Sequence, residues 1–260
     1  MPLGHEVLGS GPTRVIVLND WMSDTSTWEP TRAYLDQQRA TWVFADLRGY
    51  GRSREQRGEY HLVEAAGDVI DLASTLGWER FSIVGHSMST LVALHLCQQY
   101  ADRISRGVLV TPPPPTAPGA ESGILEMLTA VAEGDDGLRL QAVRPTWGDR
   151  LSEGWIRFKI ARWRESSDPD AVARYVPMFA RDGLPDTTTE IAIPLLAVTG
   201  EKDPPHMRRA EVARALAPFC PRLEVFPILE SGHYPMQETP PLLVSIVERF
   251  LVDDPGPSSM

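Results

Sequence analysis

What this chain has little of narrows its reading before any motif does. Only two cysteines occur among its 260 residues, Cys97 and Cys220. They fall in different apparent elements, a helix and a turn ahead of a strand. No disulfide framework is therefore expected, and a reducing compartment, the cytoplasm, is the default. No apolar run approaches the roughly 18 residues that a membrane span needs. The first residues, Met1-Pro2-Leu3-Gly4-His5-Glu6, lack a basic stretch followed by an apolar one, so no secretory signal is expected. Positive charge is scarce: 25 Lys and Arg stand against 35 Asp and Glu, a net charge of −10. That balance disfavours nonspecific binding to nucleic acid or to an anionic membrane. No His, Cys and carboxylate group has metal-ligand spacing, and no G-x-G-x-x-G occurs, so neither a metal nor a cofactor is expected.

What is present is an alternation. Short apolar runs at Arg14-Val15-Ile16-Val17-Leu18, Thr41-Trp42-Val43-Phe44-Ala45, 81–84 and 106–111 read as strands buried on both faces. Helical spacing separates them, at 28–37, at 62–76 and from Thr90 onward. Strand and helix in this rhythm give a parallel sheet covered on both sides. A short edge strand is expected around Glu6-Val7-Leu8. The rhythm stops at Pro112-Pro113-Pro114-Pro115, because consecutive prolines supply no ladder donors. From there to Asp186 only helical segments are predicted, at 124–133, 136–143, 151–164 and 170–179. Strands resume at 193–199 and 222–227, with helices at 207–216 and 241–251. The expected organisation is a core of 1–112 and 187–252, a helical cap of 113–186 and a flexible tail at 253–260.

One stretch organises the chemistry. Phe81-Ser82-Ile83-Val84 breaks at Gly85, and Ser87 stands two residues on, just before a helix. A strand turning sharply into a helix lifts a serine hydroxyl out of the fold and aims the next backbone N–H, that of Met88, at whatever the serine attacks. Strand and helix backbones nearly touch there, so small residues are needed two before and two after the serine. Gly85 and Ser89 occupy those places. A serine hydroxyl is a weak nucleophile at neutral pH and needs a base oriented by a carboxylate. His233, in Glu230-Ser231-Gly232-His233-Tyr234-Pro235, follows the last strand. Asp203, in Gly200-Glu201-Lys202-Asp203-Pro204, follows the strand before it, with Glu201 as the competing carboxylate. All three fall on loops at the carboxyl edge of the sheet, where open α/β sheets place their sites. His86 is expected to point away from Ser87 and to serve packing.

With these residues in place, the chain resembles the α/β-hydrolase family over nearly its whole length, in the branch with a serine nucleophile. The landmarks are the loop after Val15–Leu18, the stretch Asp46-Leu47-Arg48-Gly49-Tyr50-Gly51-Arg52-Ser53, the Gly85–Ser89 elbow, and the Asp203 and His233 loops. The resemblance implies a mostly parallel eight-stranded sheet, shortened at the N-terminus, with helices on both faces and a cap inserted after strand 6. It implies cleavage of a carboxylic ester of a small, largely apolar molecule through an acyl-enzyme. Lactone hydrolysis, carbon–carbon bond hydrolysis, perhydrolysis and a hydrolase-derived receptor stay open on the same scaffold. Haloalkane dehalogenases and epoxide hydrolases share the Asp46–Ser53 pattern but place Asp where Ser87 stands, which argues against both.

Two departures stand out. Family members usually carry His-Gly after the first long strand; this chain carries Asn19-Asp20. The resemblance assigns the oxyanion-hole N–H groups to Trp21 and Met88. Asp20 places a carboxylate beside that hole and is expected to turn outward or to be hydrogen-bonded within its loop. Ser89 stands in place of the usual glycine. For the substrate pocket the expected lining is Asp20, Met127, Trp147, Trp155, Trp163 and Tyr234, the cap aromatics favouring an apolar acyl or alcohol part.

Overall fold

The computed structural model describes residues 1–116, 123–147 and 150–253. Five strands come first: β1 (His5–Leu8), β2 (Thr13–Leu18), β3 (Ala40–Ala45), β4 (Phe81–His86) and β5 (Ile104–Val110). Helix α1 (Leu62–Thr75) precedes β4, and α2 (Ser89–Gln99) follows it. Between β5 and β6 lie α3 (Ile124–Glu133), α4 (Asp136–Val143), α5 (Glu153–Ser166) and α6 (Pro169–Pro177). The chain closes with β6 (Leu195–Gly200), α7 (Arg209–Leu216), β7 (Leu223–Ile228), α8 (Pro235–Glu238) and α9 (Pro240–Glu248).

The strands form one seven-stranded sheet in the order β1-β3-β2-β4-β5-β6-β7. β1 runs antiparallel to β3, with Leu8 opposite Trp42, and every other pair is parallel. The count is one fewer than eight: β1 is itself the edge, and among the described residues nothing pairs outside it. The helical segment accordingly follows the fifth strand of this chain. Alternate residues of each strand feed opposite cores. Ile16, Leu18, Val43 and Ala45 pack with α1, α2 and α7 on one face; Val15, Val17, Trp42 and Phe44 pack with Trp28 and α9 on the other. That two-sided burial is why these strands read as unbroken apolar runs.

Three elements differ from the sequence expectation. The helix expected at 28–37 is a 3-10 segment, Thr25–Tyr34, started by the Asp24 carboxylate. Pro30 inside it has no N–H to give an α-helical ladder. The helix expected at 151–164 starts at Glu153 because the Ser152 hydroxyl caps it, accepting from the Trp155 N–H at 3.3 Å. The last helix leaves α geometry after Glu248 and ends in a wider turn, Arg249–Asp253. The tail expected at 253–260 lies, apart from Asp253, outside the described residues.

The segment between β5 and β6 sits over the carboxyl edge of the sheet and is pinned there. The Asp168 N–H donates to the Gly49 carbonyl (2.8 Å), and Tyr50 forms a β-bridge with Ser167. The Trp21 indole donates to the Val172 carbonyl (2.9 Å), and the Trp155 indole donates to Gln237 Oε1 (2.6 Å). Gly49 and Gly51 both have positive φ, +80° and +46°, as the tight turns of that loop demand.

Candidate active site

All four loops that carry the expected residues leave the same edge of the sheet, because β2, β4, β6 and β7 are mutually parallel. At the end of β4 the chain reverses into α2 through Ser87, which has φ +52°. A non-glycine residue held there costs on the order of 1–3 kcal/mol, and surrounding bonds must hold it. Here the Ser87 N–H donates to the Val110 carbonyl (2.9 Å), and the Ser87 carbonyl accepts from the Thr90 hydroxyl (2.7 Å). A side chain at Gly85 would put its Cβ 2.5 Å from the Ser89 carbonyl oxygen, so the turn has no room for one. Ser89 has a use that glycine lacks. Its hydroxyl accepts from the His86 N–H (2.9 Å) and donates to the His86 carbonyl (3.0 Å), closing the elbow on itself.

The structure brings Ser87, His233 and Asp203 into one hydrogen-bonded line. His233 Nε2 lies 2.8 Å from Ser87 Oγ, and His233 Nδ1 lies 2.7 Å from Asp203 Oδ2. Asp203 is fully buried. Its backbone is held separately from its carboxylate: the N–H donates to the Gly200 carbonyl (3.1 Å), and Arg208 Nε donates to the Asp203 carbonyl (2.7 Å). Glu201, the competing carboxylate, is occupied elsewhere, accepting from the Thr199 hydroxyl and from the Arg209 N–H at the start of α7, each at 3.0 Å. Burial alone would lower the His233 pKa. The Asp203 carboxylate outweighs it with help from Asp20, so the imidazole is held above its ordinary value, while Lys159 pulls the other way. Such a line can take a proton from the hydroxyl and keep the resulting imidazolium stable. Among the described residues, neither the Trp21 nor the Met88 backbone N–H has a hydrogen-bond partner.

The His233 loop is anchored on three sides. His86 Nε2 donates to the His233 carbonyl (2.8 Å), and the Thr111 hydroxyl donates to the same carbonyl (3.2 Å). The His233 N–H donates to the Thr146 carbonyl (3.0 Å), in the segment between β5 and β6. Glu238 accepts from the N–H groups of Gly232 (3.0 Å) and Tyr234 (3.1 Å) and pairs with Arg150 (3.1 Å). His86 is thus a support for the histidine loop as well as a packing residue. Burial lowers its pKa and keeps it neutral.

Asp20 does not turn outward. Its carboxylate is buried, with Oδ1 at 3.6 Å from His86 Nδ1. Burial works against the charge, but Lys159, then His86 and His233, hold the carboxyl below the usual carboxylate range. The loop itself is knit by Asn19, whose side-chain amide donates to the carbonyl of Ser23.

The expected pocket lining divides. Tyr234 packs on His233 and His86, with ring centroids 5.4 and 5.5 Å away, and Trp155 packs on Tyr234 at 5.3 Å. Trp147 lies behind Trp155, at 4.9 Å, one ring further from His233. Two expectations fail. Met127 is 51% exposed on α3, because that turn of the helix faces solvent. Trp163 is buried in the hydrophobic core that also contains the buried faces of α1 and α2.

Lys159 was not foreseen from the sequence. It is 1% exposed on α5, and its Nζ lies 4.2 Å from the Tyr234 ring centroid and 5.9 Å from that of Trp155. A signal was available. The chain has two lysines, Lys159 and Lys202, against many arginines, and Lys159 falls between two tryptophans of one helix. Glu238 was also missed; it stands five residues after His233 at the end of α8, where its carboxylate reaches back to the loop.

A family model described as "Alpha/beta hydrolase family" matches residues 15–246. The chain belongs to the alpha/beta hydrolase family. An uncharacterized protein of Mycobacterium tuberculosis is 28% identical to this hydrolase over 94% of this chain and 76% of its own length. The pimeloyl-[acyl-carrier protein] methyl ester esterase of Vibrio cholerae is 28% identical over 90% of this chain and 92% of its own. Among solved structures, a hydrolase from Oleispira antarctica superposes with a TM-score of 0.84 at 20% identity, over 97% of this chain and 95% of that one. The enol-lactonase from Burkholderia xenovorans LB400 superposes with a TM-score of 0.81 at 24% identity, over 96% of each chain. At those identities the structures speak for the fold. The family and the ester-cleaving relative support hydrolase activity.

Proposed function

We propose that this protein is a serine hydrolase that cleaves a carboxylic ester of a small molecule through an acyl-enzyme. The observation that carries the reading is the line Asp203–His233–Ser87, with its two contacts of 2.7 and 2.8 Å. His233 takes the Ser87 proton as Oγ attacks the carbonyl carbon. Asp203 fixes the proton on Nδ1 and stabilises the imidazolium. The backbone N–H groups of Trp21 and Met88 receive the developing oxyanion. His233 returns its proton to the leaving alcohol, then activates water to release the acid. Residues 1–112 and 187–252 are the hydrolase core, and 113–186 are a cap whose Trp155, with Tyr234, gives the site an apolar wall. The ester class is favoured by the Vibrio cholerae relative, named for a methyl ester.

The test is covalent labelling with a fluorophosphonate, peptide mapping of the adduct, and turnover of p-nitrophenyl esters. Label on Ser87 and loss of turnover in Ser87→Ala are expected. Unchanged turnover in Ser87→Ala sinks the proposal. Binding of small ligands with no turnover across an ester and lactone panel would favour a receptor instead.

A further inference from the structure

We propose that Lys159 is the recognition point for a free carboxylate on the substrate, so that the site takes an ester or lactone that also bears one acid group. This rests on the hydrolase reading above and names its substrate class.

Lys159 is a buried cation beside the site, and among the described residues its ammonium lies on two aromatic rings. Its ammonium is one aromatic ring from His233: it lies over Tyr234, and Tyr234 packs on His233. Its surroundings are the faces of Tyr234 and Trp155, and the carboxylates that act on its charge are Asp20 and Asp24. Other cations nearby are paired: Arg150 with Glu238, and Arg162 with Asp24 and Glu165. Burying an ammonium is costly unless a counter-charge compensates, and the faces of two aromatic rings compensate only in part. Asp20 and Asp24 face Lys159 at longer range. Burial nonetheless wins, and the Lys159 pKa is lowered. Lys159 is in turn the first of the groups that favour the charge of Asp20, whose Oδ1 has no hydrogen-bond partner among the described residues.

A structural role explains these features less well. Trp155 and Tyr234 would pack as closely on a leucine or methionine, with no charge to desolvate. A carboxylate matches what is there: one cation beside an apolar wall. A phosphate matches poorly, because a dianion would meet one ammonium together with the negative charges of Asp20 and Asp203. The chain places one of its two lysines here. Lysine, a compact cation on a flexible stem, suits capture of a single carboxylate oxygen.

The experiment compares mono-p-nitrophenyl glutarate with p-nitrophenyl pentanoate, of equal acyl chain length, in the full-length wild type, Lys159→Met and Lys159→Arg. The readout is the ratio of kcat/KM for the acidic over the neutral ester. The ratio is expected to fall about ten- to hundredfold in Lys159→Met, the worth of one charge-assisted hydrogen bond, and to stay mostly intact in Lys159→Arg. A purely structural lysine would slow both esters alike and leave the ratio unchanged, and that result overturns the proposal. A second arm does not depend on turnover: calorimetric binding of monomethyl glutarate to Ser87→Ala and to Ser87→Ala/Lys159→Met. Binding is expected in the first and loss of it in the second. No binding to Ser87→Ala, or equal binding to both, overturns the assignment of Lys159. If neither ester is cleaved and Ser87 takes no fluorophosphonate, the hydrolase reading fails, while this arm still decides the carboxylate site.

Discussion

Asp203→Asn tests the proposed chemistry at its most buried point. The substitution keeps the shape of the side chain and removes its charge. The loop is held by bonds of the Asp203 backbone, to Gly200 at 3.1 Å and from Arg208 at 2.7 Å, so the variant should fold. The asparagine can face His233 in two ways. With its N–H2 toward Nδ1 it donates, so the imidazole proton moves to Nε2. Nε2 then lies 2.8 Å from the Ser87 hydroxyl with no lone pair to accept its proton. With its oxygen toward Nδ1 the tautomer survives, but the imidazolium of the transition state loses its counter-charge in a fully buried place. In the serine-protease triad the same change costs about 10⁴ in kcat, which is about 5 kcal/mol at 1.36 kcal/mol per tenfold. A loss of that order is expected here. The pH profile must change as well. In the wild type, His233 is held above its ordinary value near 6.5, so activity is lost as pH falls through that raised pKa and the base becomes protonated. Without Asp203, burial dominates, the pKa drops, and the acid limb moves to lower pH. The assay is steady-state turnover of p-nitrophenyl acetate across the pH range in both proteins, with a melting curve to confirm folding. Activity within about tenfold of wild type, with an unmoved acid limb, would refute the reasoning.

Three further outcomes are expected. Gly85→Ala forces a methyl group to within 2.5 Å of the Ser89 carbonyl oxygen and should cost about 1–3 kcal/mol as overpacking; an unchanged melting temperature would show that the elbow has slack. Asp20→Asn removes a charge that raises the His233 pKa, so the acid limb of kcat/KM should move to lower pH, and a shift to higher pH would contradict the electrostatics of the site. Trp21→Phe deletes the indole bond to the Val172 carbonyl, worth about 0.5–1.5 kcal/mol. Amide hydrogen exchange in α6 should then quicken, and unaltered exchange would mean that other contacts hold that helix.

The alternating strands and helices were legible because burial on both faces leaves each central strand a continuous apolar run, and a parallel sheet demands helices between such runs. The elbow was legible because steric demand acts over a few residues: Gly85, Ser87 and the start of α2 are neighbours in sequence. The order Ser87, Asp203, His233 could be read for a similar reason, since each follows directly on a strand. Residues between β5 and β6 were legible as helices and poorly legible as a site. Met127 and Trp163 were expected in the pocket, yet one is exposed and the other is buried in the hydrophobic core. Helical periodicity shows that a face is apolar, and it does not show which body of the protein that face meets. Lys159 was faint in the sequence for the opposite reason, because a lone cation on a helix reads as solvated surface.

By itself, then, the chain determined the strand and helix succession, the strained serine turn, and the identity of the serine, histidine and carboxylate that meet, because each of these depends on local sterics or on position at a strand end. Only the tertiary structure decided the surroundings. It turned Asp20 inward beside His86, made Ser89 a clasp on the elbow, and tied the His233 loop to Thr146 and Glu238. It also brought Lys159 over Tyr234. Those outcomes join residues far apart in sequence, and their energetics depend on burial, which sets whether a carboxylate or an ammonium is a solvated surface charge or an unpaired charge inside a site.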